Sequence, residues 1–311
     1  MTDPAGNIAR TPSLATTQAV AARLREAASS EFQAQHVVPA REGLVYQQPQ
    51  PPIQFDQVAP VPQGIGGVGA PAPRELALMA ADVYNDVASP PPGYRVANDA
   101  DLARLGLRTQ DLSSPQSSFR ARVYVTGEGD AAGYVVSFRG TTDGSDWKAN
   151  LRQGVGLPSD QYAHALLIAK ALARNPDVNV TLTGHSLGGG LASAAALGSG
   201  RDAATFNAAG LSSATIQQAE QIRTAAGIGR AAEIAAFYVK GEVLSAVQDG
   251  GDRVVGAIFG GVIGGVLADA PEAYGARHPL DAVRPAGTHW YQDNPVARHG
   301  MDWVLSSLPA N

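Results

Sequence analysis

The chain has 311 residues, 44% of them hydrophobic and 16% charged, and carries a formal net charge of −5. That length bounds it to one large domain with an extension, or two small ones; the negative balance and the lack of a Lys/Arg-rich run argue against nucleic acid as a partner. It contains no cysteine, which excludes disulfides, thiolate metal sites and a cysteine nucleophile.

In chain order, "MTDPAGNIARTPS" has neither the basic start nor the apolar stretch of a Sec-type signal peptide. No apolar run reaches the roughly 18 residues of a membrane-spanning helix. Leu14 to Phe32 shows partial helical periodicity. From Tyr46 to Pro73, proline and glycine are dense enough to prevent regular helix or sheet. Residues 1–73 are therefore expected to be an N-terminal helix plus a Pro/Gly-rich extension or surface strap, plain disorder being the simpler reading of the same composition.

Residues 74–311 read as the folded unit. In "PRELALMAADVYNDV", Leu76, Met79, Ala80 and Tyr84 fall at helical spacing. "RARVYVTGEGDAAGYVVSFRGT" predicts a hairpin, with strands near Ala121 to Val125 and Gly133 to Arg139. "DQYAHALLIAKALARNPD" predicts an amphipathic helix with a breaker at its end. Then come a strand at Asn179 to Thr183, a helix at Leu187 to Leu197, a short buried strand in "AATFNAAG", a helix in "SSATIQQAEQIRTAAG" and a strand in "EIAAFYVKGE". Strands alternating with helices of this length imply an α/β fold with a mostly parallel sheet and helices on both faces.

Between the strand at 179 and the helix at 187 stands Gly184-His185-Ser186-Leu187-Gly188, the G-x-S-x-G pattern of a nucleophile elbow in its strand–turn–helix setting. A reversal that sharp leaves no room for side chains at Gly184 or Gly188. It would lift the Ser186 hydroxyl clear of the sheet and set it at a helix N-terminus, where developing negative charge is favoured. The bland reading is a serine N-cap. Leu187 follows the nucleophile, so its N–H is the expected first oxyanion donor. The loop after "YVVSFRG" offers the second, Thr141, with Gly140 permitting close approach; otherwise it is a plain strand-ending turn.

"VVSFRGT", then "DW" and "N", then "GHSLGG", together with a leading "LALMAADVYND", resemble the class 3 lipase family of α/β-hydrolases over roughly residues 74–305. The resemblance implies an α/β-hydrolase fold and hydrolysis of lipid esters; no His pair sits at ligand spacing on one helix, so neither a metal nor a cofactor is expected. It implies that Trp147 and Asn150 brace the oxyanion loop. More narrowly, the chain is similar to phospholipase effectors that bacteria deliver through type IV or type VI secretion systems. That likeness implies export to a target cell's periplasm, a toxin-like role and an inhibitor or immunity protein as partner; otherwise the enzyme is cytoplasmic.

In hydrolase order the acid follows the nucleophile and the histidine comes last. Glu242, directly after the strand in "AAFYVKGE", is the candidate acid, with Asp249 and Asp252 as alternatives. The class 3 resemblance implies aspartate there, so glutamate is a departure that still provides a carboxylate to orient an imidazole. A solvated strand-end carboxylate is the alternative reading. Three late histidines remain open as base. His299 sits just ahead of the final apolar helix in "NPVARHGMDWVLSSL", where the class 3 resemblance puts the base. His289 in "GTHWYQDN" is flanked by aromatics, and His278 lies further upstream. Between acid and base, Val254 to Leu267 is almost wholly apolar, which suits a lid-like insertion, an interface-dipping hairpin or a buried core helix.

The expected function is a serine ester hydrolase of membrane lipids, a phospholipase A of A1 type, touching the membrane surface transiently. A neutral-lipid lipase or carboxylesterase is the near alternative. A membrane-inserting protein with a vestigial elbow is the alternative from a different class.

Overall fold

The structure, a computed structural model, describes residues 70–114, 117–140, 160–244 and 273–309. The proposed helix at 14–32, the strap at 46–69 and the apolar segment at 254–267 lie outside the described residues. The described elements run in the order α1 (Pro73–Asp82), β1 (Arg95–Val96), α2 (Asp99–Arg104), β2 (Ser113–Ser114), β3 (Phe119–Thr126), β4 (Gly133–Phe138), α3 (Asp160–Ala173), β5 (Asn179–His185), α4 (Leu187–Ser199), β6 (Ala203–Phe206), α5 (Ser213–Ala225), β7 (Ile234–Val239), β8 (Ala276–Leu280) and α6 (Met301–Ser307).

The hairpin read from the sequence is β3 and β4, paired antiparallel with Val123 opposite Val136. From β4 onward every neighbour is parallel, in the order β4-β5-β6-β7-β8. Each strand is added on the same side of the last. Right-handed crossovers then put the connecting helices α3, α4 and α5 on one face. Strand side chains alternate accordingly. Tyr134, Val136, Phe138, Val180 and Leu182 pack with Ala165, Leu191 and Ala219 of those helices. Val135, Tyr124, Phe206, Phe237 and Val239 face the other way, onto α1 and α6. Together with the strand–serine–helix turn after β5, this mostly parallel sheet covered on both faces is an α/β-hydrolase fold.

α4 runs between α3 and α5 and is buried along its whole length. That position explains its run of glycine and alanine: at Gly198 an added Cβ would stand 3.0 Å from the Cβ of Ala169 on α3. Gly200, at φ 68°, ends the helix in the left-handed conformation that glycine adopts without strain.

α1 is held to the sheet by polar contacts as well as apolar ones. Pro73 opens it, and the Glu75 carboxylate accepts the Ala72 N–H at 2.8 Å. Ser137 on β4 donates to the Met79 carbonyl at 3.0 Å, and Thr183 on β5 donates to that of Leu76 at 3.3 Å. At its far end Asp82 is buried against Arg122 at 2.9 Å and accepts the Tyr124 hydroxyl at 2.7 Å. Burial raises the Asp82 pKa, but hydrogen bonds from Tyr124, Ser89, Asn85 and Arg122 outweigh it and leave the carboxyl below its usual range.

Removing one partner from such a buried pair strands the other. Asp82→Ala is expected to lower unfolding free energy by about 3–5 kcal/mol, read as a shifted urea midpoint with an unchanged slope.

Candidate active site

β5 ends at His185 and α4 begins at Leu187, leaving Ser186 alone at the bend with φ 58° and ψ −127°. Such a conformation costs a non-glycine residue on the order of 1–3 kcal/mol. Four backbone bonds hold it. The Ser186 N–H donates to the Phe206 carbonyl at 3.1 Å, and the Ser186 carbonyl accepts from Gly189, Gly190 and Ala209 at 3.0–3.3 Å. The flanking glycines have a steric reason. A Cβ at Gly184 would strike the Gly188 carbonyl, and one at Gly188 would strike the carbonyl of Phe138. The Ser186 hydroxyl makes no capping bond to α4.

Instead, Ser186 Oγ lies 3.0 Å from His299 Nε2. His299 closes a short 3₁₀ turn, Ala297–His299, just ahead of α6. Its Nδ1 is 2.7 Å from Glu242 Oε2. Glu242 is fully buried one turn beyond β7, where Gly241 takes φ 74°, and its carboxylate also accepts the Leu244 N–H at 2.9 Å. An ionised carboxylate only accepts, so the imidazole proton belongs on Nδ1. Nε2 is then a lone pair facing the serine hydroxyl. That arrangement can remove the Ser186 proton as the oxygen attacks. Leu187, the first residue of α4, presents an amide with no intrahelical acceptor beside the nucleophile.

A second network sits behind the first. His185 Nε2 is 2.7 Å from the His299 carbonyl oxygen, and Asn207 Nδ2 donates to the same oxygen at 2.9 Å. A carbonyl only accepts, so His185 carries its proton on Nε2. Its Nδ1 then accepts the Tyr84 hydroxyl at 3.1 Å. The Tyr84 oxygen in turn accepts the Gly140 N–H at 3.1 Å. This amide is therefore engaged. Burial, and then the neighbouring His299, push the His185 pKa down to about 3, so it is neutral. Burial pushes the Tyr84 phenol up.

The structure thus brings Ser186, Glu242, His299, Leu187 and the elbow residues Gly184, His185 and Gly188 together. His289 is exposed and stacks on Tyr291 at 5.2 Å. His278 lies within β8, stacked on Phe237 at 5.1 Å, with burial lowering its pKa. Thr141, Trp147, Asn150, Asp249 and Asp252 lie outside the described residues. Among the described residues no group of three or more His, Cys, Asp or Glu could hold a metal ion. In the sequence Tyr84 shows only as a core position of the leading helix, and Asn207 only as part of a buried strand. Asn207 is one of three non-glycine residues with positive φ among those described, a feature that sequence does not display.

Residues 75–286 match the model of the Tle-like phospholipase domain. Over 240 residues the chain is 32% identical to the extracellular phospholipase A1 of Serratia liquefaciens, covering 75% of this chain and 69% of that protein. The crystal structure of a lipase from Yarrowia lipolytica aligns with a TM-score of 0.35 at 13% identity, over 68% of this chain and 78% of that one.

Tyr84→Phe would leave the Gly140 N–H and His185 Nδ1 without their partner. The expected loss is about 1–3 kcal/mol of stability, measured by chemical denaturation.

A neutral buried His185 also sets a pH dependence. Its unfolded form ionises near 6.5 and its folded form near 3, so between those values the unfolded chain binds more protons. Stability is then fully present above about pH 6.5 and falls as pH drops through the window, and His278 acts in the same direction. The lowered carboxyls of Asp82, Asp101 and Asp293 titrate only below about pH 4. The urea midpoint should therefore be lower at about pH 5 than at about pH 7.5; equal midpoints would exclude a neutral His185.

Proposed function

The chain belongs to the Tle-like phospholipase family and is a lipid ester hydrolase, and on that premise we propose that it cleaves phospholipids as a serine phospholipase of A1 type. The observation that carries the serine mechanism is the run of contacts from Ser186 Oγ to His299 Nε2 at 3.0 Å and from His299 Nδ1 to Glu242 at 2.7 Å. The A1 regiochemistry is supported by the identity to a phospholipase A1.

His299 takes the proton from Ser186 as Oγ attacks the acyl carbonyl carbon. The oxyanion that forms is held by the Leu187 N–H and by Thr141. Collapse of the tetrahedral intermediate breaks the ester bond, His299 returns its proton to the departing glycerol oxygen, and a lysophospholipid leaves. Water, deprotonated by the same imidazole, attacks the acyl-enzyme and releases the fatty acid. Glu242 keeps the imidazole proton on Nδ1 and stabilises the imidazolium, its burial strengthening that interaction. No metal takes part in this scheme.

A partner follows from the substrate. An enzyme that attacks membrane phospholipid endangers the cell that makes it, so an inhibitory immunity protein and delivery to a rival cell form part of this reading. Their support is the likeness to secreted effectors noted from the sequence.

Phospholipid vesicles with distinguishable acyl chains at the two glycerol positions test the core of the reading. The wild type should release the sn-1 chain, and Ser186→Ala should lower turnover by about 10⁶-fold. Glu242→Gln, which can present an amide N–H to Nδ1 and force the wrong tautomer, should lower it by about 10⁴-fold. Undiminished release by Ser186→Ala would overturn the serine mechanism, and release of the sn-2 chain would overturn the A1 assignment.

A further inference from the structure

We propose that the segment from Val283 to Tyr291 is a lipid-docking platform that seats the enzyme on a phospholipid bilayer with its active site facing the lipid. The proposal rests on the phospholipase reading for its ligand and adds a surface that the triad does not include.

Among the described residues, six large apolar side chains are exposed, and three of them fall within this stretch of nine: Val283 at 49%, Trp290 at 75% and Tyr291 at 65%. A tryptophan that exposed offers its ring to a partner, and Trp and Tyr suit the boundary between headgroups and acyl chains, being apolar in body and polar at one end. The aromatic cluster is built in advance. Tyr291 stacks on His289, and Trp290 stands edge-on to Tyr291 with ring centres 6.0 Å apart. The turn that carries them, Trp290–Gln292, is fixed by the His289 N–H donating to Gln292 Oε1 at 2.8 Å. Little ordering remains to be done on binding.

The charges around the platform suit phosphate headgroups. Its two flanking carboxylates are paired within the protein, Asp281 with Lys240 at 2.7 Å and Asp293 with Arg298 at 2.6 Å. Arg284, exposed within the platform, adds positive charge near Asp293.

The location selects the lipid as occupant. Ser186 follows β5 and Glu242 follows β7, at the C-terminal edge of the parallel strands; the chain leaves β8 at that same edge, Val283 donates its N–H to Ser307 Oγ at the end of α6 at 3.0 Å, and the aromatic turn leads back into the segment that ends in His299. Asp293 donates its N–H to the Trp290 carbonyl at 3.3 Å, and from there short bonds tie the segment that follows the platform, residues 293–298, to the surroundings of the triad. Arg298, paired with Asp293, also donates to the Lys240 carbonyl at 3.1 Å, and the Pro295 carbonyl accepts the N–H of Val243, the residue after Glu242. Asn294 accepts the Val296 and Ala297 N–H groups at the start of the turn that ends in His299. A surface that binds lipid at this place holds the base and the acid at a set distance from it.

The test is co-sedimentation with large unilamellar vesicles of phosphatidylcholine and phosphatidylglycerol, using full-length Ser186→Ala so that the lipid stays intact. Adding Trp290→Ala and Tyr291→Ala should weaken partitioning about tenfold or more. In the active enzyme, the same two substitutions should lower hydrolysis of vesicles at limiting lipid and leave hydrolysis of a monomeric short-chain phospholipid unchanged. Unchanged partitioning would overturn the proposal. So would an equal loss on monomeric substrate, which would assign the aromatics to the substrate pocket, or a wild-type dimer that the substitutions dissociate, which would assign the face to a second copy. Partitioning is read without turnover, so a failure of the serine mechanism would leave this result standing and be seen separately.

Discussion

The carbonyl oxygen of His299 is the point at which the site is assembled. It accepts two hydrogen bonds, from His185 Nε2 and Asn207 Nδ2. His185 ends β5, and Asn207 follows β6 and uses its own side-chain oxygen to accept the Val239 N–H at the end of β7. Three neighbouring strand ends are thus referred to one atom of the proposed base. With its main chain fixed, His299 has only two side-chain torsions left, and the bond to Glu242 settles those. The result is preorganisation: the distance to Ser186 is set by backbone that cannot drift independently.

That arrangement requires an uncharged His185. A proton on both ring nitrogens would put an N–H against the Tyr84 hydroxyl, which already accepts from Gly140 and would have to turn its own proton elsewhere. Burial keeps the ring neutral, and the second-row network stays coherent. Tyr84 follows directly on α1, the helix stitched to the sheet by Ser137, Thr183, Tyr124 and the Asp82–Arg122 pair. The leading helix, remote in sequence from the elbow, is therefore part of the support for Gly140, two residues past β4. The strain at Ser186 is carried by the same packing, since four backbone bonds and two sterically required glycines leave the bend no alternative.

The edge where the parallel strands end carries two different kinds of chemistry. At its centre, polar groups are buried, paired and aimed at one another. At its margin, past β8, aromatic side chains are exposed on a turn braced by the residues that also brace His299. A phospholipid has to be lifted from an aggregate before its ester can be reached, and amphipathic side chains beside the chemistry favour that step.

What could be read from the sequence was local. The elbow is legible because the G-x-S-x-G spacing falls between a β-branched run and an alanine-rich one, which signals strand then helix; the contact that requires Gly184 lies within five residues, whereas the one that requires Gly188 is with Phe138 on β4. The alternating pattern yielded the parallel sheet, although β5 runs two residues past the expected Thr183 to His185. Strand β8 went unread because "ARHPL" carries arginine, histidine and proline in five residues, and only pairing with β7 makes it a strand. Glu242 and His299 could be named as candidates by chain order, whereas His289 and His278 could be set apart only by position, one on an exposed turn and the other within the sheet. Tyr84 and His185 are 101 residues apart, and Asn207 and His299 are 92 apart. Sequence determined which residue types stood at the strand ends. Tertiary structure alone decided which of them meet, because hydrogen bonds over such separations depend on how the sheet stacks its strand ends and leave no periodic trace along the chain.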